Sequence, residues 1–445
     1  MKRNDLLAIC LAIFSMFLGA GNIIFPPIVG QQAGEFILQG GLGFMAGDIG
    51  LTLLTLVGVA MAGGPDKVTR DLPAWAGKAF WIALFAVMGP AFVVPRSAHV
   101  AYEIGLQPFI GNPGALTLNL YAVVFLAIAG WFAINPSRLI VSVGKKMAPL
   151  LLLMLTVIAI ATLWQPQGGI EAATGAYASN AFSEGMVQGY LTMDALGPLC
   201  LGWMIAQLLR NHGVRSDRDI VRYSAMVGLF AALGMALVYS ALLYLGATSH
   251  GVAPEATNGA HILTAYITAL FGTSGTLIMG IIITLACLTT AIGTPSACAE
   301  YFHTIGPRFT YCQYIIVIYL VAALVATLGL EQLIAVSIPV MVIIYPLAIA
   351  LTVVGMVRRW IKHPVLVTRL VAATTLLFAA LDGWQASGLM PAMLNTLLTD
   401  NLPLFAQHMT WLVAAVIALI IGVLYSHMKK PNSHVDIAAS VSTAK

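Results

Sequence analysis

Charge is what this sequence has least of. Only 9% of its 445 residues are Asp, Glu, Lys or Arg. A soluble chain carries about 25%, because its surface must face water. A soluble enzyme is therefore excluded. Intrinsic disorder is excluded as well, since 60% of the residues are hydrophobic. The basic excess is small, a net charge of +4, and scattered, which argues against nucleic-acid binding. Cysteine is scarce too: Cys10, Cys200, Cys287, Cys298 and Cys312. None forms a CxxC pair or stands near a His at zinc spacing, so buried thiols in helices are expected. No Ala-x-Ala pattern closes the first apolar stretch. Leu6 to Gly34 carries no charge at all and reads as a retained membrane span rather than a signal peptide.

Long apolar runs fill the rest. A bilayer core takes about 20 apolar residues per helix. Twelve runs qualify: 6–30, 37–62, 78–103, 115–134, 146–164, 186–209, 221–246, 274–302, 311–329, 332–357, 365–388 and 408–427. Connections are short, and none holds a soluble domain. The segment 259–272 has helical apolar spacing but is too short to span, so it is expected to lie over the outer face. With the N-terminus inside, all of the 21 Lys and Arg except Arg96 fall on one side. The positive-inside rule makes that side the cytoplasm, with both termini there. Arg96 lies inside span three.

Two spans carry breaks. Span one reads Phe14-Ser15-Met16-Phe17-Leu18-Gly19-Ala20-Gly21-Asn22-Ile23-Ile24-Phe25-Pro26-Pro27. Pro removes a donor and Gly weakens a helix. Backbone groups freed in lipid cost several kcal/mol each unless protein or a watery cavity satisfies them. The run is either a proline kink or a helix opened to a ligand. Span six repeats the pattern in Gly189-Tyr190-Leu191-Thr192-Met193-Asp194-Ala195-Leu196-Gly197-Pro198, with a costly carboxylate inside the membrane.

The breaks are five spans apart, so their helices run in opposite directions. Interrupted helices at matching positions in two halves point to a transporter site at the interface of inverted repeats. The repeats are predicted as 1–164 (spans one to five) and 165–357 (spans six to ten), followed by two further spans in 358–428 and a tail, 429–445. Half-helix N-termini attract anions, and freed carbonyls hold cations. A zwitterionic amino acid with a cation beside it suits both. Span eight adds hydroxyls in Ala286-Cys287-Leu288-Thr289-Thr290-Ala291-Ile292-Gly293. These either ligate a hard alkali cation or bond to their own backbone.

Residues 14–27, 89–98 (GPAFVVPRSA), 188–197, 286–293 and 297–302 (ACAEYF) together resemble the bacterial branched-chain amino acid–cation symporters. That family belongs to the amino acid–polyamine–organocation superfamily. The resemblance implies an all-α polytopic membrane protein with a LeuT-type 5+5 inverted repeat plus two C-terminal helices. It further implies import of leucine, isoleucine and valine with sodium across the bacterial inner membrane, in contact with lipid. On the matching positions, the amides of Ala20 and Gly21, beside Asn22, would receive the substrate carboxylate. Backbone from Tyr190 through Leu191 and Thr192 to Asp194 would receive the ammonium. Carbonyls of Ser15, Leu18 and Ala286 and the hydroxyls of Thr289 and Thr290 would hold sodium, Thr290 being favoured of the pair. Phe92 and Leu191 are expected to line the apolar side-chain pocket. Proton-coupled relatives of this fold can place a fifth-span lysine at the sodium position; residues 147–164 contain none, which favours sodium.

Other intramembrane polar groups leave alternatives. Arg96 pairs with Glu103 or with another carboxylate, as a gate or a structural ion pair. Glu300 reads as an inner gate residue. Asp48, which does not match the family pattern, makes either a packing hydrogen bond or a proton-titrating site. The Asp194 side chain either touches substrate or pins helix ends. His99 and His261 read as ordinary packing. Rival readings are the same fold with another cargo, a membrane enzyme, which would need a catalytic cluster that is not found, and a receptor-like protein, which would need no matched breaks.

Overall fold

The computed structural model describes residues 6, 9–11, 14, 17–62, 64, 67–111, 114–134, 148–200, 209–210, 214, 216–306 and 308–428. The described residues are helical, with no strand. Nine helical runs among them are long and apolar enough to cross a membrane, beside the shorter apolar helix Leu152–Trp164. The first run, Gly21–Ala62, covers two of the predicted spans. It contains α1 (Gly21–Ala33), α2 (Ile37–Met45) and α3 (Leu51–Ala62), and it turns at Gly34, φ +46°. The tally of nine stops short of twelve. Span six is interrupted after Tyr190, and parts of spans one, five and six lie outside the described residues.

Apolar side chains cover the outside as well as the core. Leu116 is 82% exposed, Leu237 75% and Trp131 76%. A water-soluble protein does not carry such a surface, whereas lipid is as apolar as these side chains. Without a hydrophobic drive between helices, association depends on close backbone approach, and the glycines provide it. On α2 and on α8 (Tyr177–Tyr190), they face one another's backbone. A Cβ on Gly43 would lie 2.0 Å from the Phe182 carbonyl, and one on Gly185 would lie 2.0 Å from that of Gly40. The α1 helix meets α9 (Asp217–Ala247) in the same way: a Cβ on Gly246 would lie 1.9 Å from the Pro27 carbonyl.

Span three holds a break that the residues by themselves did not announce. Its two halves, α4 (Ala74–Ala86) and α5 (Val93–Gly105), are separated by a π turn, Val87–Ala91. Gly89 there has φ −107° and ψ −105°, and Pro90 supplies no N–H to restore the ladder. Further along come α6 (Ala115–Ala133), α7 (Ala148–Trp164) and α10 (Gly259–Ile305). The α10 helix breaks at Gly272, φ +64°. Its short first arm is capped by Asn258, whose side chain accepts from the His261 N–H at 3.0 Å. This arm packs on α1, where a Cβ on Gly259 would lie 1.7 Å from the Ile24 carbonyl. Four helices complete the chain: α11 (Tyr311–Val325), α12 (Leu330–Val357), α13 (Pro364–Ala386) and α15 (Thr410–Met428), with the short α14 (Ala392–Asn401) before the last. Four of the cysteines are buried as expected, but Cys312 is exposed at the start of α11.

Candidate functional site

The three interrupted helices converge. Helix geometry is lost at Leu18–Ala20 just before α1, and again at Leu191–Met193 after α8. Met193 takes a left-handed φ of +71°, a conformation that costs a non-glycine residue about 1–2 kcal/mol. Surrounding bonds hold it there. Arg96 donates to the Leu191 carbonyl and, at 3.0 Å, to the Thr192 carbonyl. The Ala195 N–H donates to the Tyr345 hydroxyl at 2.9 Å. Tyr345 in turn stacks on Tyr190, with ring centroids 4.9 Å apart.

The two breaks touch directly. A Cβ on Gly21 would lie 2.9 Å from Arg96 Nη2 and 3.1 Å from the Thr192 Cα. Gly21 opens α1, where the first N–H groups have no partner within the helix. A helix N-terminus and a guanidinium thus stand side by side, an arrangement suited to a carboxylate. Arg96 is 4% exposed, and its face also lies 5.4 Å from the Phe25 ring.

Asn22 links the breaks to span two. Its Oδ1 accepts from the Gly19 N–H at 3.1 Å, and its Nδ2 donates to Asp194 Oδ2 and to the Tyr239 hydroxyl, each at 2.5 Å. Tyr239 donates onward to Asp48 Oδ2. Thr192 Oγ1 lies 2.8 Å from Asp48 Oδ1 and 2.7 Å from the Gly189 carbonyl. Asp48, fully buried in a π turn between α2 and α3, is therefore a member of the central network. The Asp194 side chain pins the first break through Asn22.

Span eight carries one satisfied and one unsatisfied hydroxyl, and the unsatisfied one faces this centre. Thr289 Oγ1 donates to the Ala286 carbonyl at 2.8 Å. Thr290 Oγ1 is buried without a partner, and it lies 3.4 Å from where a Cβ on Gly19 would be. The Leu18 backbone adjoins Gly19; Ser15 lies outside the described residues. An unpartnered hydroxyl beside an unwound backbone fits an oxygen-coordinated alkali cation.

Some expectations are corrected. Arg96 and Glu103 do not pair. The interruption before α5 turns Arg96 into the centre, onto bare carbonyls, while Glu103 sits about 10 Å further along the helix. Its nearest basic partner is His261 Nε2 at 4.0 Å. Glu300 is exposed and, among the described residues, in ion-pair contact with neither. The Leu191 and Thr192 carbonyls, expected to face a substrate ammonium, are taken by Arg96. A small pocket, with room for little more than a water molecule or an ion, opens next to Asp48 and Asp194. His99 is fully buried with both ring nitrogens unpartnered. Tyr239, Tyr345 and the site membership of Asp48 were not read from the sequence. Only Asp48 carried a signal there, as a carboxylate inside a span.

The family described as branched-chain amino acid transport protein matches residues 2–429. The chain belongs to that family. The branched-chain amino acid transport system 2 carrier protein of Pseudomonas aeruginosa is 44% identical over 95% of this chain and 96% of its own length. The branched-chain amino acid permease BrnQ of Escherichia coli K12 is 37% identical, covering 96% of each. BraB of Bacillus subtilis, another such permease, is 34% identical over 97% and 98%. With carriers and permeases as its relatives, this family member is a transporter and not an enzyme. Among solved structures, MhsT in complex with L-phenylalanine aligns over 96% of this chain and 99% of its own, at TM-score 0.55 and 15% identity. Mhp1, a nucleobase-cation-symport-1 family transporter, aligns over 94% and 91%, at TM-score 0.60 and 14% identity. These likenesses establish the LeuT-type fold, and the cargo does not follow from the fold.

Proposed function

We propose that this family member imports leucine, isoleucine and valine with sodium, by alternating access across a bacterial inner membrane, its basic loops facing the cytoplasm. The family membership supports the cargo. The observation that carries the sodium reading is the buried, unpartnered Thr290 hydroxyl beside the unwound Leu18–Gly19 backbone. The substrate carboxylate would lie against the Ala20 and Gly21 amides and Arg96. As Arg96 turns to that carboxylate it frees the Leu191 and Thr192 carbonyls for the ammonium, so a zwitterion replaces an internal cation–carbonyl contact with no net charge change.

Small apolar side chains differ by only about 1–3 kcal/mol per methylene in a pocket, so the three substrates compete. One sodium entering across about 100 mV supplies ~2.3 kcal/mol. A tenfold gradient adds ~1.4 kcal/mol. Together they support roughly several-hundred-fold accumulation, and energetics require no second ion. The test is uptake of labelled leucine into proteoliposomes under a sodium gradient, a proton gradient, or neither. Sodium-driven uptake is expected. Uptake that ignores sodium and follows pH overturns the ion, and failure to move leucine overturns the cargo.

A further inference from the structure

Asp48 and Asp194 are two carboxylates at the centre of the protein, and their direct partners are all neutral. Asn22 serves Asp194, while Tyr239 and Thr192 serve Asp48. The neighbouring cation, Arg96, spends its hydrogen bonds on carbonyls. Among the described residues no Lys, Arg or His is in ion-pair contact with either carboxylate. A buried carboxylate is stabilised by a positive charge or by taking up a proton, and Arg96 is one cation beside two carboxylates.

Space for another lies next to them. The small pocket touches Asp48, Asp194 and Thr52, with apolar walls from Leu56, Ala231 and Met235. Thr52 is one helical turn beyond Asp48, so the two share a face. It is 9% exposed, and its Oγ1 is buried without a partner. Thr290 does not line this cavity.

We propose that Asp48, Thr52 and Asp194 form a second alkali-cation site, separate from the one at Thr290 and placed between α3 and α9. Carboxylate and hydroxyl oxygens are the ligands a hard cation takes. An alkali ion fits these groups better than a proton does. One Asp48 oxygen accepts from Tyr239, while the single Thr192 hydroxyl proton is shared between Asp48 Oδ1 and the Gly189 carbonyl, which leaves the second Asp48 oxygen capacity for a ligand. A proton on Asp48 or Asp194 would leave the Thr52 hydroxyl and the pocket unused.

The test uses the full-length protein in lipid nanodiscs, without amino acid. Sodium chloride replaces choline chloride at constant ionic strength, and the thermal midpoint and bound ²²Na are recorded. The wild type should bind two ions. Thr52→Val, nearly isosteric, should lose one ion or weaken one component at least about tenfold, while Thr52→Ser should retain both. Thr290→Val should lose the other component. If Asp48→Asn does not fold, the Thr52 pair still decides. Wild-type sodium titration by Thr52→Val overturns the site, as does a change confined to its pH dependence. Because leucine is absent throughout, failure of the cargo reading leaves this outcome unaffected.

Discussion

Thr289 and Thr290 are neighbours with the same side chain, and the fold gives them different surroundings. Thr289 bonds to its own helix; Thr290 has no partner and faces Gly19. A lost hydroxyl ligand is worth about 1–1.5 kcal/mol. Thr290→Val should therefore raise the sodium needed for half-maximal leucine uptake about tenfold, while Thr289→Val leaves it within about twofold. Equal effects from both would remove the distinction. Gly21 gives a second residue-scale prediction. In Gly21→Ala the new methyl meets Arg96 Nη2 and the Thr192 Cα, so leucine uptake should fall at least about tenfold while the protein still inserts. Unchanged uptake would show that the two breaks do not pack this closely during transport.

The breaks in spans one and six are legible in the sequence because glycine, proline and polar residues have no other reason to crowd in mid-membrane. The interruption of span three is harder to read, since Gly89-Pro90 alone is also compatible with a simple kink. It has a large consequence: it aims Arg96 between the other two breaks. Gly185 lets α8 rest on α2, with a Cβ position only 2.0 Å from the Gly40 carbonyl. Gly185→Leu should lower the thermal midpoint in detergent strongly, since overpacking costs about 1–3 kcal/mol or more. By contrast, the Cβ position of Gly293 in α10 meets nothing within 4 Å beyond its own stretch of helix. Gly293→Ala should leave the midpoint unchanged or raise it, because Ala favours a helix by up to about 1 kcal/mol. The two measurements together separate close approach from a general glycine effect.

Across the whole molecule, Asp71 ties distant parts of the chain. Arg358, just after α12, donates to both its carboxylate oxygens at 2.7 and 3.1 Å, and Arg369 of α13 reaches its carbonyl at 3.3 Å. Asp71 is 9% exposed at its side chain and Arg358 33%, so the pair lies between the exposed and buried extremes. Asp71→Asn should cost about 1–3 kcal/mol, read as a lower thermal midpoint. The double variant Asp71→Asn, Arg358→Gln should recover part of it, because no charge is left unpaired. Simple additivity would mean that the two residues act separately.

By itself the sequence determined the membrane class and which helices, those of the first and sixth spans, are broken. Composition and local geometry settle those points: a chain with so little charge cannot face water, and a proline cannot continue a helix ladder. Only the tertiary structure decided which polar groups meet. Asn22 reaches Tyr239 217 positions away, Asp48 reaches Tyr239 191 positions away, and Arg96 turns from Glu103 to carbonyls 95 and 96 positions distant. Such contacts depend on how helices rotate and close on their glycines, and no local pattern encodes that.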